Sequence, residues 1–139
     1  MLSTSRLSSP LAFSLIGLRY RPWRWERTIQ HSARIGNDYG FEQVFARELR
    51  GIAQPNDVFI GISTSGNSLN ILAAVQVAKE LSLRQMAWTG QTGGKLADQC
   101  ECLRVPSTET ARIQECHILV GHVLCELVEH QFFARRGTR

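Results

Sequence analysis

Residues 57–68 read DVFIGISTSGNS, an apolar run at 58–62 that opens into a loop carrying four hydroxyls within six residues. Val, Phe, Ile and Ile bounded by Asp57 and by a Ser/Thr/Gly cluster predict a short buried strand. The next sixteen residues, SLNILAAVQVAKELSL (68–83), have the spacing of an amphipathic helix. Strand, hydroxyl-rich loop and helix in immediate succession form half of a βαβ unit, and that unit sets the fold class.

The same alternation continues on both sides. FEQVFARELRGI (41–52) places Phe41, Val44, Phe45, Leu49 and Ile52 at helical spacing, and Pro55-Asn56 ends it. LRQMAWTG (83–90) predicts a second strand, QTGGKLADQC a loop leading into a short helix, and CECLRVP (100–106) a third strand stopped by Pro106. From about Thr110 to Phe133 a long helix is expected, its apolar stripe made by Ile113, Cys116, His117, Val120, Leu124, Leu127, Val128 and Phe132. Strands alternating with helices imply a parallel sheet between helical layers, an α/β three-layer sandwich, with ligands beyond the carboxyl ends of the strands.

The loop at 63–68 occupies such an end. A helix N-terminus offers unpaired N–H groups and the positive end of the helix dipole. Ser63, Thr64, Ser65 and Ser68 add hydroxyl donors, and Gly66 permits close approach of the backbone. The combination suits a phosphate monoester. No lysine is present in the loop, so it is not a GxxxxGK[ST] nucleotide loop. The plainer alternative is that Asn67 or Ser68 caps the helix and the remainder is a solvated turn. A T-x-T-G-x-T flavin loop of the flavodoxin type is chemically close. It normally follows the first strand and is completed by aromatic residues, whereas the later strand–loop segments here offer only Trp88.

The long helix supplies the second clue, ARIQECHILVGH (111–122). His117 falls on the apolar stripe, which reads as a core histidine, and Glu115 reads as a solvated or paired carboxylate. Gln114 and His122 leave that stripe. Eight residues at 1.5 Å and 100° each set them about 12 Å apart along the helix and about 80° apart around it. A shared role needs long side chains, a ligand between them, or helices from two subunits.

GNDYGFEQVFAR (36–47), DVFIGISTSGNS (57–68), TGQTGGKLAD (89–98) and RIQECHILVGH (112–122) together resemble successive motifs of the phosphoheptose isomerases, proteins of the sugar-isomerase (SIS) domain family. The resemblance implies interconversion of D-sedoheptulose 7-phosphate and D-glycero-D-manno-heptose 7-phosphate, for heptose and lipopolysaccharide precursors, in a cytoplasmic homotetramer. It implies that Ser63, Thr64, Ser65 and Ser68 hold the sugar phosphate and that Asn37 and Asp38 contact the sugar. Gln114 and His122 would stand at the reacting end, where the resemblance also implies a zinc ion, with His122 in a proton-transfer role. A non-catalytic phosphosugar- or protein-binding SIS module, of the kind that associates with replication initiators, is the second reading.

Residues 1–35 are of another kind. Six arginines stand there against Glu26 alone, a net of +5, whereas residues 36–139 hold ten basic and eleven acidic residues, a net of −1. The Ser/Arg-rich, acid-poor composition matches a mitochondrial transit peptide or a divergent start. The glycine/serine-rich segment and the histidine- and glutamate-bearing helix that the resemblance would place here have no counterpart, so the segment is expected to be divergent or truncated and the chain an inactive remnant in the extreme case. The expected organisation is a divergent, disorder-compatible segment at 1–35, the SIS domain at 36–133 and a basic tail at 134–139.

Two function classes are disfavoured by composition. Basic residues are not clustered on one element of the body, which speaks against a nucleic-acid face. No apolar run approaches the roughly 20 residues of a membrane span. Cys100, Cys102, Cys116 and Cys125 contain no Cys-x-x-Cys pair, and the Cys-x-Cys on the expected third strand would aim both thiols to one face. Reduced, core-type thiols are the expectation.

Overall fold

A computed structural model describes residues 15–16 and 35–134. The segment read as divergent and the basic tail therefore lie almost wholly outside the described residues. Four strands form one sheet in the order β1 (Leu15–Ile16), β2 (Val58–Ile62), β3 (Arg84–Thr89) and β4 (Glu101–Arg104). The helices are α1 (Val44–Ile52), α2 (Leu69–Glu80) and α3 (Thr110–Ala134), with a short helical stretch at 35–39 and a 3-10 turn at Gly94–Asp98.

Strands β2, β3 and β4 are parallel, with Ile60 opposite Met86 and Thr89 opposite Arg104. This is the α/β architecture expected from the alternation. The exception is β1, which pairs antiparallel with β2 through Leu15 opposite Phe59. Its two residues fall in LAFSLIGL (11–18), an apolar run that lacks period-2 alternation and does not reveal a pairing partner.

Alternation along the strands separates two faces. Phe59 and Ala87 turn to one face, where they join Ala46 and Leu49 of α1, Ala74, Val75, Val77 and Ala78 of α2, and Leu96 of the 3-10 turn in the buried core. Gly61 lies on this face because a Cβ there would come within 2.8 Å of Ile71. Arg50 of α1 and Glu80 of α2 form an exposed ion pair across the two helices. On the opposite face α3 meets the sheet at Trp88, whose ring lies tilted against His117 at 6.2 Å between centroids.

Element ends follow local chemistry. Asn56 at φ 73 turns the chain between α1 and β2, the left-handed conformation that a short amide side chain tolerates. Helix α1 starts later than its periodicity suggests. Gly40 at φ 86 leads into a 3-10 turn at Phe41–Gln43, and Phe41, assigned to the apolar stripe, is exposed. In α3 the stripe is only partly buried: Ile113 and His117 are buried, Val120, Leu124 and Val128 half-buried, and Cys116 and Leu127 exposed.

Candidate phosphate-binding loop

The serine loop is locked at both ends of its backbone. Ser63 N–H donates to Trp88 O at 3.0 Å, Gly90 N–H to Thr64 O at 2.9 Å, and Leu96 N–H to Gly66 O at 3.0 Å. The loop is thereby bonded to the end of β3 and to the turn that follows it. Gly66 at φ 68 packs so closely on this turn that a Cβ would stand 2.0 Å from Gly93 O. Gly93 and Gly94 are themselves at φ 76 and 52, and a Cβ on Gly94 would lie 2.4 Å from Ser65 O. Three glycines from two loops are required for one contact.

Side chains complete the arrangement. Ser63, 5% exposed, shares a 2.8 Å hydrogen bond between its Oγ and that of Ser68. Ser65 Oγ accepts from Asn67 N–H at 3.2 Å, and Asn67 Oδ1 accepts from Lys95 N–H at 3.0 Å. Thr64 and Ser68 are half-buried and Ser65 is exposed. Ser68 stands at the N-cap position of α2 but makes no capping hydrogen bond through its side chain, and Asn67 bonds elsewhere. The loop is therefore not explained as a helix cap. Among the described residues no hydrogen bond engages the N–H groups of Thr64, Ser65 or Ser68. Such N–H groups beside two hydroxyls, at the start of a twelve-residue helix, form an anion cradle.

The remaining predicted residues are set differently. Asn37 and Asp38 are exposed in the helical stretch at 35–39. Gln114 and His122 are both exposed on α3. Among the described residues no group of three or more His, Cys, Asp or Glu side chains could hold a metal ion. An amide oxygen and one imidazole eight residues apart on a single helix do not satisfy zinc, which takes three or four donors. The described part of one chain thus does not by itself fit the zinc ion expected at Gln114 and His122.

His117 is the polar anchor of α3. It is 4% exposed and contacts Thr89 O through Nε2 at 3.2 Å. A carbonyl oxygen only accepts, so Nε2 carries the proton and Nδ1, which is buried without a partner among the described residues, is an acceptor. Burial holds the imidazole below its ordinary pKa of 6.5, partly opposed by the bond to Thr89. The same carbonyl accepts from Val105 N–H at 3.0 Å, so both its lone pairs are used. The sequence places His117 in the core but does not reveal that its partner is the last residue of β3. Asn67 reads in the sequence only as a candidate helix cap, and the Gly93-Gly94 pair only as part of a motif, whereas both shape the loop. The paired glycines in TGGK were the available signal.

Comparison with known proteins agrees with this geometry. The SIS domain family model matches residues 8–90. The match begins inside the segment read as divergent and ends at Gly90, where β3 gives way to the glycine turn. The phosphoheptose isomerase of Aneurinibacillus thermoaerophilus is 52% identical over 103 residues, covering 73% of this chain and 52% of that protein. That of Akkermansia muciniphila is 49% identical over 100 residues, covering 71% and 53%. The chain spans about half the length of these curated relatives. Among solved structures, the phosphoheptose isomerase of Neisseria gonorrhoeae superposes with a TM-score of 0.68 at 45% identity, over 72% of this chain and 57% of that one. The enzyme of Francisella tularensis gives 0.70 at 39% identity, over 73% and 58%. With a matching family model over residues 8–90, the parallel sheet and the serine loop at its carboxyl edge, the chain belongs to the SIS domain family.

Proposed function

We propose that the chain acts in the interconversion of D-sedoheptulose 7-phosphate and D-glycero-D-manno-heptose 7-phosphate, with the loop at 63–68 holding the phosphate. The observation that carries this reading is the locked loop itself, with Ser63 and Ser68 joined and the N–H groups of Thr64, Ser65 and Ser68 uncommitted. Relatives at about half identity named phosphoheptose isomerase support the substrate. Aldose–ketose exchange moves a proton between C1 and C2 through an enediol(ate), and needs a base, an acid and stabilisation of the developing oxyanion. His122 serves one proton transfer, as the imidazole that the motif sets on α3. Asn37, Asp38 and Gln114 contact the sugar.

Zinc belongs to this reading as a group held by Gln114 and His122 together with donors from outside the described part of one chain, where it would polarise the substrate oxygens. The homotetramer belongs to it for the same reason, because subunits that meet along α3 bring a second set of donors. The reading includes a cytoplasmic location and a place in heptose and lipopolysaccharide precursor synthesis; no helix among the described residues is long and apolar enough to cross a membrane.

The reading to test against is a SIS module that binds a phosphosugar without converting it. Incubating the purified chain with sedoheptulose 7-phosphate and assaying for the aldose phosphate decides between them. Turnover reduced at least about 100-fold by His122→Ala supports the isomerase. Retained phosphosugar binding with no turnover supports the binding module.

A further inference from the structure

The peptide unit between Thr89 and Gly90 is bonded from both sides. Its oxygen, Thr89 O, accepts from His117 Nε2 of α3 at 3.2 Å and from Val105 N–H at 3.0 Å. Its N–H, that of Gly90, donates to Thr64 O of the serine loop at 2.9 Å. One planar group, stiffened by its partial double bond, therefore holds the helix on one edge and the loop on the other. Thr89, Gly90 and His117 are all buried, so the bonds lie in a low dielectric, where they polarise one another.

Close packing repeats the connection. A Cβ on Gly90 would stand 2.6 Å from Ile113 Cδ1 of α3, 2.7 Å from Thr64 O and 3.3 Å from Ser107 O. Ile113 and His117, one turn apart, are the buried residues that anchor the start of α3, and both meet this junction. Trp88 ties the same two elements: its O accepts from Ser63 N–H at 3.0 Å, while its ring lies against His117. Gln114 follows Ile113 directly, and His122 stands five residues beyond His117 on the same helix.

We infer that His117 is a positioning residue, which through the Thr89–Gly90 peptide sets Gln114 and His122 relative to a phosphate held at 63–68. The inference rests on the phosphosugar reading of that loop. A histidine that only filled space would do so at a cost, since its Nδ1 is buried without a partner among the described residues and an apolar side chain would avoid that. Thr64 joins the two events. Its N–H is offered to the phosphate and its O is bound to Gly90, so a phosphate drawn onto the loop reaches α3 across one residue and one peptide. The coupling is reciprocal, and the placing of α3 acts back on the loop.

The test titrates the full chain with inorganic phosphate and follows the proton and nitrogen-15 resonances of the His117 ring and of the Gly90 and α3 amides. Saturable binding is expected to move the His117 Nε2–H and the amides of residues 113–122 with one dissociation constant. His117→Gln, which keeps a donor for Thr89 O, passes the change on to α3. His117→Leu still binds phosphate, because the bonds of the loop to β3 remain, but leaves the α3 amides unmoved. In turnover of sedoheptulose 7-phosphate, His117→Leu lowers kcat about tenfold or more at nearly unchanged KM, and His117→Gln restores most of it. Circular dichroism verifies folding. The wild-type titration needs neither turnover nor a variant, and it decides the matter should His117→Leu not fold. Saturable binding with an unmoved His117 resonance overturns the assignment and leaves the phosphate reading standing. A folded His117→Leu that matches the wild-type chain, or a His117→Gln that behaves like His117→Leu, does the same. Absence of saturable phosphate binding overturns both.

Discussion

Gly66 sits against Gly93 with no room for a methyl group, while Leu119, a few turns into α3, leaves 64% of its surface to solvent. The two regions are the two halves of the candidate site. The serine loop is fixed by three backbone bonds to its neighbours and by a hydroxyl pair. Helix α3 is anchored at Ile113 and His117 near its start, and then exposes Ile118, Leu119, Val123, Leu127 and Phe133. The chain builds the cradle by itself but leaves the element with Gln114 and His122 half-committed. Binding and chemistry therefore make different demands on what surrounds this chain.

If the loop is set by close packing, Gly66→Ala should be the most damaging of the simple changes. It adds a positive-φ penalty to a clash with Gly93 O, and a loss of about 3 kcal/mol is expected from urea unfolding. A change under 1 kcal/mol would show that the two loops part easily, and the contrast with α3 would vanish.

A smaller effect is expected from His117. Its folded pKa lies below 6.5, so the stability tied to the neutral ring is complete above pH 6.5 and is lost as pH falls through the folded value. Unfolding midpoints compared between pH 7.5 and 5 should fall on acidification. His117→Gln keeps an N–H for Thr89 O but does not titrate, so it should flatten that part of the profile. An equally steep profile in the variant would assign the acid sensitivity elsewhere.

Smallest in its effect on the folded chain is a change on the exposed flank of α3. Leu119→Glu or Leu127→Glu should alter unfolding free energy by no more than about 0.5 kcal/mol. The same change should reduce the assembled species seen by sedimentation velocity. A tetramer that survives both substitutions would place the subunit contact on another surface.

Much of this contrast is visible in the residues. Apolar runs with Gly, Pro and Ser punctuation define β2, β3, β4 and both flanking helices to within a few residues, because burial imposes the periodicity. Four hydroxyls after Ile62 identify the loop. What escaped is non-local. The contact of Gly66 with Gly93 joins positions 27 apart, and the bond from His117 to Thr89 O joins positions 28 apart. Phe41 follows the helical period yet faces solvent, since the 3-10 turn after Gly40 shifts its direction. The pairing of Leu15 with Phe59 starts from the apolar run at 11–18, which does not name its partner. Gln114 and His122 are legible only through the motif they share, and a separation of about 12 Å along one helix implies that one helix does not complete their site.

The bond from Leu96 N–H to Gly66 O also fixes an order of events during synthesis. The hydroxyls leave the ribosome first, but their loop lacks its far wall until β3, the paired glycines and residue 96 have emerged behind them. Until then Ser63 has no Trp88 carbonyl to bond, and Gly66 has nothing to pack upon. A nascent chain shorter than this lacks the walls of the proposed cradle. The proposed cradle is finished by residues that lie outside the loop itself.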